Sequence, residues 1–356
     1  MMNPLNLFIN GHNVLYIIII TFALSAFLTP LSIKFAKHVG AVDVPDGKRK
    51  VHKKPIPSMG GIAIFVSFLI GYMLFVPKSD QMLSVLIAGF IIVLTGMCDD
   101  IKPLSPKWKL FGQIVASLIV TVYGGLVFKD MQIFGHFFEF GFLAYPLTIF
   151  FIIAIINAIN LTDGLDGLAA GCSSIYFITI AILGFIMQNL GGLDVVLCLI
   201  LFGACLGFLI YNFSPAIVFM GDTGSMFLGF IISVIALMGF KTATLTSLII
   251  PMLLLFVPIL DTLLAMGRRL LKGKSIGSAD KEHLHHQLLK NTHSTRITVL
   301  IMYAINILFA AVSIFYTLGD KQVSICLYAI LLLFFVILVL KTDILFDHNR
   351  GNNDKN

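Results

Sequence analysis

The residues best suited to chemistry form the run Asn157-Ala-Ile-Asn160-Leu-Thr-Asp163-Gly164-Leu-Asp166-Gly167, with amides and carboxylates at every third position and glycines for tight turns. Oxygen donors on that period suit a hard cation such as Mg²⁺, and equally the hydroxyls or base of a nucleotide. Hydrophobic packing gives no reason for them. A second acidic group, Asp99-Asp100, ends an apolar run, where two adjacent carboxylates repel each other and face the negative end of a helix dipole. A divalent cation or a phosphate-bound metal removes both penalties. The plainer alternative is a solvated pair that caps its helix against lysines of the same loop.

Other polar groups need company before they acquire a role. Gly221-Asp222-Thr223-Gly224 opens a long apolar helix, so Asp222 is either a helix cap or part of a site that takes anions. Phe219, just upstream, either packs in a core or stacks on a flat base. Lys109 follows Trp108 at a span entrance; alone it is a snorkelling interfacial lysine, and in acidic and cationic company a phosphate ligand. Asp261 lies seven residues before Arg268, about 10 Å up a helix, and faces a polar cavity or pairs with Arg268 or Arg269. His283, His285 and His286 follow a stretch rich in Arg and Lys, which suits a diphosphate or sugar phosphate better than zinc, since no CxxC or HExxH context accompanies them. Lys50 and His52 sit in a basic loop with Pro and Gly flanks, either an ordinary juxtamembrane loop or a rim over a site. The five cysteines lack metal or disulfide spacing and read as packing residues.

The elements that must position these groups are membrane helices. Hydrophobic residues make up 58% of the 356 and charged residues 12%, with a mean hydropathy of +0.98, which excludes a soluble globular domain. Apolar runs long enough to cross the hydrocarbon core fall near 14–36, 60–77, 83–98, 110–128, 142–160, 168–189, 194–211, 223–240, 247–267, 297–318 and 322–341. Of 24 Lys and Arg, all but Lys78, Lys129, Lys241 and Lys321 fall in alternate loops, together with nearly all the acidic and histidine motifs. The positive-inside rule then predicts an all-α polytopic membrane protein of about 11 transmembrane helices, N-terminus outside and C-terminus cytoplasmic. Residues 1–342 read as one transmembrane domain with its site on the cytoplasmic face, and 343–356 as a polar cytoplasmic tail. With neither Lys nor Arg before the first span, nor a cleavage site after it, that span reads as retained. The net charge of +6 calls for anionic lipid and no nucleic acid.

Oxygen ligands, many cations and a candidate aromatic shelf at a membrane surface predict phosphoryl transfer between a water-soluble phosphorylated substrate and a lipid one. In order and spacing, the Asp-Asp pair, the NxxNxxDGxDG run, the GDxG turn and the histidine cluster resemble the polyprenyl-phosphate N-acetylhexosamine-1-phosphate transferases over nearly the whole chain. The resemblance implies a Mg²⁺ site, with Mn²⁺ as substitute, at Asp222 with Asn160. It implies that Asp99 and Asp100 orient or deprotonate the lipid phosphate and that Lys109 binds the nucleotide diphosphate. Asn157, Asp163 and Asp166 match the family's nucleotide pocket, and Phe219 its uracil-stacking residue. His283, His285 and His286, with Arg268 and Arg269, match the loop that grips the sugar diphosphate.

His-Leu-His-His, Pro258-Ile-Leu-Asp261-Thr and the run from Arg49 to His52 are similar to the TagO/WecA branch, which implies UDP-GlcNAc as donor and undecaprenyl phosphate as acceptor in a bacterial plasma membrane. The expected pathway is a lipid-linked teichoic acid or related surface glycan. The same chemistry with UDP-GalNAc or UDP-MurNAc-pentapeptide is the main alternative, and a nucleotide-sugar transporter a remote one, since no internal repeat is visible. A homodimer is compatible with the sequence.

Overall fold

In lipid the backbone finds no outside partner, so apolar runs close their hydrogen bonds as helices. The computed structural model describes residues 8–45, 54–133, 136–187, 192–240, 253–271 and 283–341. The helices are α1 (Val14–Val39), α2 (Gly61–Phe75), α3 (Asp80–Ile101), α4 (Pro106–Leu118, continued by a π-helical turn Ile119–Tyr123), α5 (Ala144–Thr162), α6 (Leu168–Ile186), α7 (Leu193–Asn212), α8 (Gly221–Phe240), α9 (Phe256–Leu271), α10 (Leu284–Thr292), α11 (Thr295–Leu318) and α12 (Lys321–Lys341). Among the described residues, seven helices are long and apolar enough to cross a membrane, and α2 and the stretch Lys321–Ile337 of α12 are apolar but shorter. The chain is an all-α polytopic membrane protein.

Helix ends follow local chemistry. The Asn13 side chain accepts from Leu15 N at 2.8 Å to start α1, which stops at Gly40 with φ +79°. The fourth expected span widens into the π turn and ends at Tyr123, earlier than hydropathy placed it. Of the ninth, 247–252 lie outside the described residues and α9 is the described part. α10 is an additional short helix that carries two of the clustered histidines.

α8 is the most enclosed of the seven long helices and packs against α3 and α5, while α1 and α6 flank α7 and α12 lies on α11. Two close approaches set the entrance of α8. The space that a Cβ on Gly61 needs is filled by Gly224 backbone, and that of Gly96 by Thr223 backbone. α2 and α3 therefore touch α8 main chain to main chain at its N-terminal turn.

Among the described residues the strands form three short antiparallel pairs, β1 (Phe8–Ile9) with β2 (His12–Asn13), β3 (Val42–Asp43) with β4 (Ile56–Pro57), and β5 (Asp130–Ile133) with β6 (His136–Glu139). The middle pair matters for the site. After β4 the chain forms a strap: Phe219 N donates to Pro57 O (2.8 Å), Gly60 N to Phe219 O (2.9 Å) and Gly61 N to Met220 O (2.9 Å), with Ser58 bridged in parallel to Phe219. The first basic loop is thereby stitched to the segment that leads into α8.

Candidate active site

Asp99 and Asp100 end α3 with different partners. The Asp99 carboxylate accepts from Leu104 N (2.8 Å) and pairs with Lys109 Nζ (2.8 Å), the lysine at the start of α4. Asp100 turns to the positive end of α8: Oδ1 accepts from Asp222 N (2.9 Å), and Oδ2 from Thr223 N (3.1 Å) and Thr223 Oγ1 (2.6 Å). The dipole penalty expected at the end of α3 is thus offset by the unsatisfied N–H groups of another helix. Gly221, with φ +72°, makes the approach possible, since the Asp100 carboxylate occupies the place of its missing Cβ.

Asp222 pairs with Lys109 Nζ at 2.6 Å, so one ammonium bridges Asp99 and Asp222. Opposite them, Asn160 on α5 donates to Ser225 Oγ (2.8 Å). Asp163 follows at the end of α5. Removal from bulk water, and then the charges of Asp222, Asp100 and Asp166, push its carboxyl up to about 8. Asp166 Oδ2 accepts from Ala216 N (3.0 Å). Asn212 accepts from Gly167 N (3.1 Å) and donates to Val218 O (2.9 Å), locking the loop after α5 to the one after α7.

These groups surround a cavity of 1010 Å³ lined by Asp99, Asp100, Asn160, Asp163, Asp166, Phe219, Asp222 and His286, with Ser58, Lys54 and Asn212 among the others. The NxxDGxDG segment, the acid pair, the GDTG turn and the histidine segment, far apart in sequence, meet at one place. Asn157 does not reach it: its amide pairs with Gln113 (2.9 Å) between α4 and α5. Lys50 and His52 lie outside the described residues.

The histidine segment hangs from α9. Asp261 is buried; its Oδ1 accepts from Leu284 N (2.8 Å), capping α10, and its Oδ2 meets His283 Nδ1 at 3.1 Å and His285 Nδ1 at 3.7 Å. The His285 imidazole fills the space left by the missing side chain of Gly164, which docks the cluster on the loop after α5. His286 faces the cavity, and burial together with His285 and His283 pulls its imidazole down to about 4, so it is neutral near pH 7. Arg268 and Arg269 are buried near the end of α9 and do not line the cavity.

Among the described residues no three His, Cys, Asp or Glu side chains close on one point as a ready metal cage. The oxygen donors still suit Mg²⁺, which commonly takes one or two protein carboxylates and completes its shell with water and substrate phosphate. Ser58, Asn212 and Ser225 carry no motif signal of their own; only the proximity of Asn212 and Ser225 to the GDTG turn could have drawn attention to them.

Residues 82–240 match the family model described as glycosyl transferase family 4. The chain is 42% identical over 316 residues, 87% of each protein, to a probable undecaprenyl-phosphate N-acetylglucosaminyl 1-phosphate transferase of Bacillus subtilis. It is 36% identical to a decaprenyl-phosphate N-acetylglucosaminephosphotransferase of Mycobacterium leprae, over 78% of this chain and 77% of that one. It is 35% identical to a phospho-N-acetylmuramoyl-pentapeptide-transferase of Chlorobium luteolum, over only 55% of this chain and 61% of the relative.

Proposed function

Because the chain belongs to glycosyl transferase family 4, among the polyprenyl-phosphate N-acetylhexosamine-1-phosphate transferases, we propose that it moves GlcNAc-1-phosphate from UDP-GlcNAc to undecaprenyl phosphate. The observation that carries this reading is the 42% identity, over 87% of both chains, to a relative named for that donor sugar and acceptor. Relatives named for the muramoyl-pentapeptide reaction align over a smaller share of the chain. An oxygen of the lipid phosphate attacks the β-phosphorus of the donor, the bond from that phosphorus to the bridging oxygen breaks, and UMP leaves with the bridging oxygen. A diphosphate then joins GlcNAc to the lipid. The lipid phosphate is already largely ionised at neutral pH, so direct attack needs no covalent relay and positioning outweighs a strong base.

Asp222 and Asn160 hold Mg²⁺ in this reading. When bound, the ion screens the two phosphates and stabilises charge on the departing UMP. Asp99 and Asp100 orient the acceptor phosphate from the end of α3, with Asp100 held in place by the α8 N-terminus. Lys109, poised between Asp99 and Asp222, moves its charge to the donor diphosphate. Asp163 and Asp166 shape the nucleotide pocket, Asn157 supports it from behind through Gln113, and Phe219 stacks on uracil. His286 presents an uncharged imidazole to the sugar diphosphate, His283 and His285 support it, and Arg268 and Arg269 lend positive charge from behind.

The Lys and Arg distribution supports eleven spans with the N-terminus outside, and so a cytoplasmic site in a bacterial membrane. Lys50 and His52 belong to the rim of that site, and residues 343–356 to a polar tail. Purified protein with undecaprenyl phosphate, UDP-GlcNAc and Mg²⁺ should release UMP and form the GlcNAc-diphospho-lipid, EDTA should stop both, and UDP-GalNAc should give little product. Turnover that EDTA leaves untouched would refute the Mg²⁺ assignment, and preference for UDP-GalNAc the donor.

A further inference from the structure

The helix that follows the histidines is tied to the site at two further points. α10 passes into α11 through His293 and Ser294: His293, with φ +53°, closes α10 by donating its N–H to Leu289 O (2.9 Å), and the hydroxyls of Thr292 and Thr298 meet at 2.6 Å across the turn. The histidine segment and the start of α11 form one unit. From it, Arg296 Nε donates to Ser214 O (2.6 Å) in the loop after α7, and Tyr303 Oη donates to Gly167 O (2.5 Å) in the loop after α5. The two side chains stand seven residues apart, about 10 Å along one face of α11 at 1.5 Å per residue.

Neither bond is needed to build the loop it touches. Gly167 O also accepts from Gly171 N (3.0 Å), in the first turn of α6, and Gly167 N donates to Asn212 Oδ1. With Asp166 Oδ2 accepting from Ala216 N and Asn212 Nδ2 donating to Val218 O, the loops that carry Asp166 and Phe219 are locked to each other without α11. The two α11 bonds instead place that locked pair against the histidines. A third tie, the His285 imidazole seated on Gly164, is a single point about which the unit can turn. Gly164, Gly167 and Ser214 together fix its orientation.

We infer, on the transferase reading above, that Arg296 and Tyr303 are positioning residues that set the distance between the two ends of the donor site. The nucleotide sits among Asp163, Asp166 and Phe219 and the sugar diphosphate against His286, so one donor molecule spans both bodies. A ligand held at two ends gains over either half only while the spacing matches it. Loosening α11 therefore weakens the whole donor and leaves its nucleotide half bound as before.

The test removes the two bonds with little disturbance of the fold. Tyr303→Phe keeps the ring that fills the space beside Gly171 and leaves Gly167 O its bond from Gly171 N. Arg296→Ala truncates an exposed side chain, and Leu300→Ala, 54% exposed on the same helix, is the control. Purified variants are assayed for KM of UDP-GlcNAc, KM of undecaprenyl phosphate and competitive inhibition by UMP. Each single variant should raise KM for UDP-GlcNAc about threefold, the scale of one hydrogen bond, and the double variant about tenfold, as for independent sites. Arg296→Lys, whose ammonium still donates to Ser214 O, should stay close to wild type. Inhibition by UMP, KM for undecaprenyl phosphate and every constant of Leu300→Ala should be unchanged. Fewer active molecules with an unchanged KM for UDP-GlcNAc in the double variant would mean a purely structural role, and weakening of UMP in step with UDP-GlcNAc would mean that the bonds shape the nucleotide pocket itself. Either result overturns the inference. Absence of transfer by the wild type with every UDP-sugar is the distinct outcome that defeats the transferase reading itself.

Discussion

Asp100 shows how one carboxylate can belong to both architecture and chemistry. Its two oxygens accept three hydrogen bonds from Asp222 and Thr223. Replacement by Asn turns one acceptor into a donor aimed at other donors, leaving an unsatisfied group that costs about 1–3 kcal/mol. Asp100→Asn should therefore lose turnover and also lower thermal stability in detergent. Asp222→Asn, whose carboxylate bonds only Lys109 among the contacts described, should lose turnover with a smaller change in melting temperature. Equal melting temperatures for Asp100→Asn and wild type would refute the anchoring role. The Asp-Asp pair was legible in the sequence because like charges at a helix end demand an explanation. Its partner was not, since Asp100 and Asp222 are 122 positions apart and no local rule links them. Asp261 stands out in the sequence for the cost of burying an acid, as a group that faces a polar cavity or pairs with Arg268 or Arg269; that it caps α10 and meets His283, 22 positions on, is visible only in the fold. Helix periodicity speaks only for contacts within a helix.

At the scale of elements, the strap from Pro57 to Gly61 decides the shape of the cavity mouth. Read locally it is a Pro- and Gly-flanked basic loop, and nothing in its composition signals a backbone pairing with Phe219 and Met220. The glycines carry the information in a form that only packing reveals. Gly61 meets the Gly224 main chain, whereas a Cβ on Gly239, on the same α8, would meet nothing within 4 Å. Gly61→Ala should push α2 off α8 at a cost of about 1–3 kcal/mol, lowering both folded yield and UMP release, and Gly239→Ala should behave as wild type. Size-exclusion recovery together with turnover reads both, and wild-type behaviour of Gly61→Ala would show that the close approach is dispensable.

For the whole molecule, hydropathy located the helices well because lipid imposes one solution on a long apolar run. It could not rank them, since an apolar face bought by lipid and one bought by protein look alike in composition, and the central place of α8 emerges only from packing. The sidedness proposed from Lys and Arg is open to direct test. In a background lacking the exposed Cys98 and Cys326, Lys78→Cys should react with a membrane-impermeant maleimide in intact cells, and Lys102→Cys only after permeabilisation. Labelling of both from the same side would overturn the topology.

The contact between the end of α3 and the start of α8 also has a timetable. Bacterial ribosomes add about 5–20 residues per second, so the 122 positions between Asp100 and Asp222 correspond to roughly 10 seconds of synthesis. For that interval the acid pair has been made and its anchoring helix has not. Any product truncated before Gly221 carries the acidic half of the site without the backbone amides that hold Asp100, which makes the emergence of α8 the moment at which a newborn chain can first anchor its acid pair, with the histidine segment still to come.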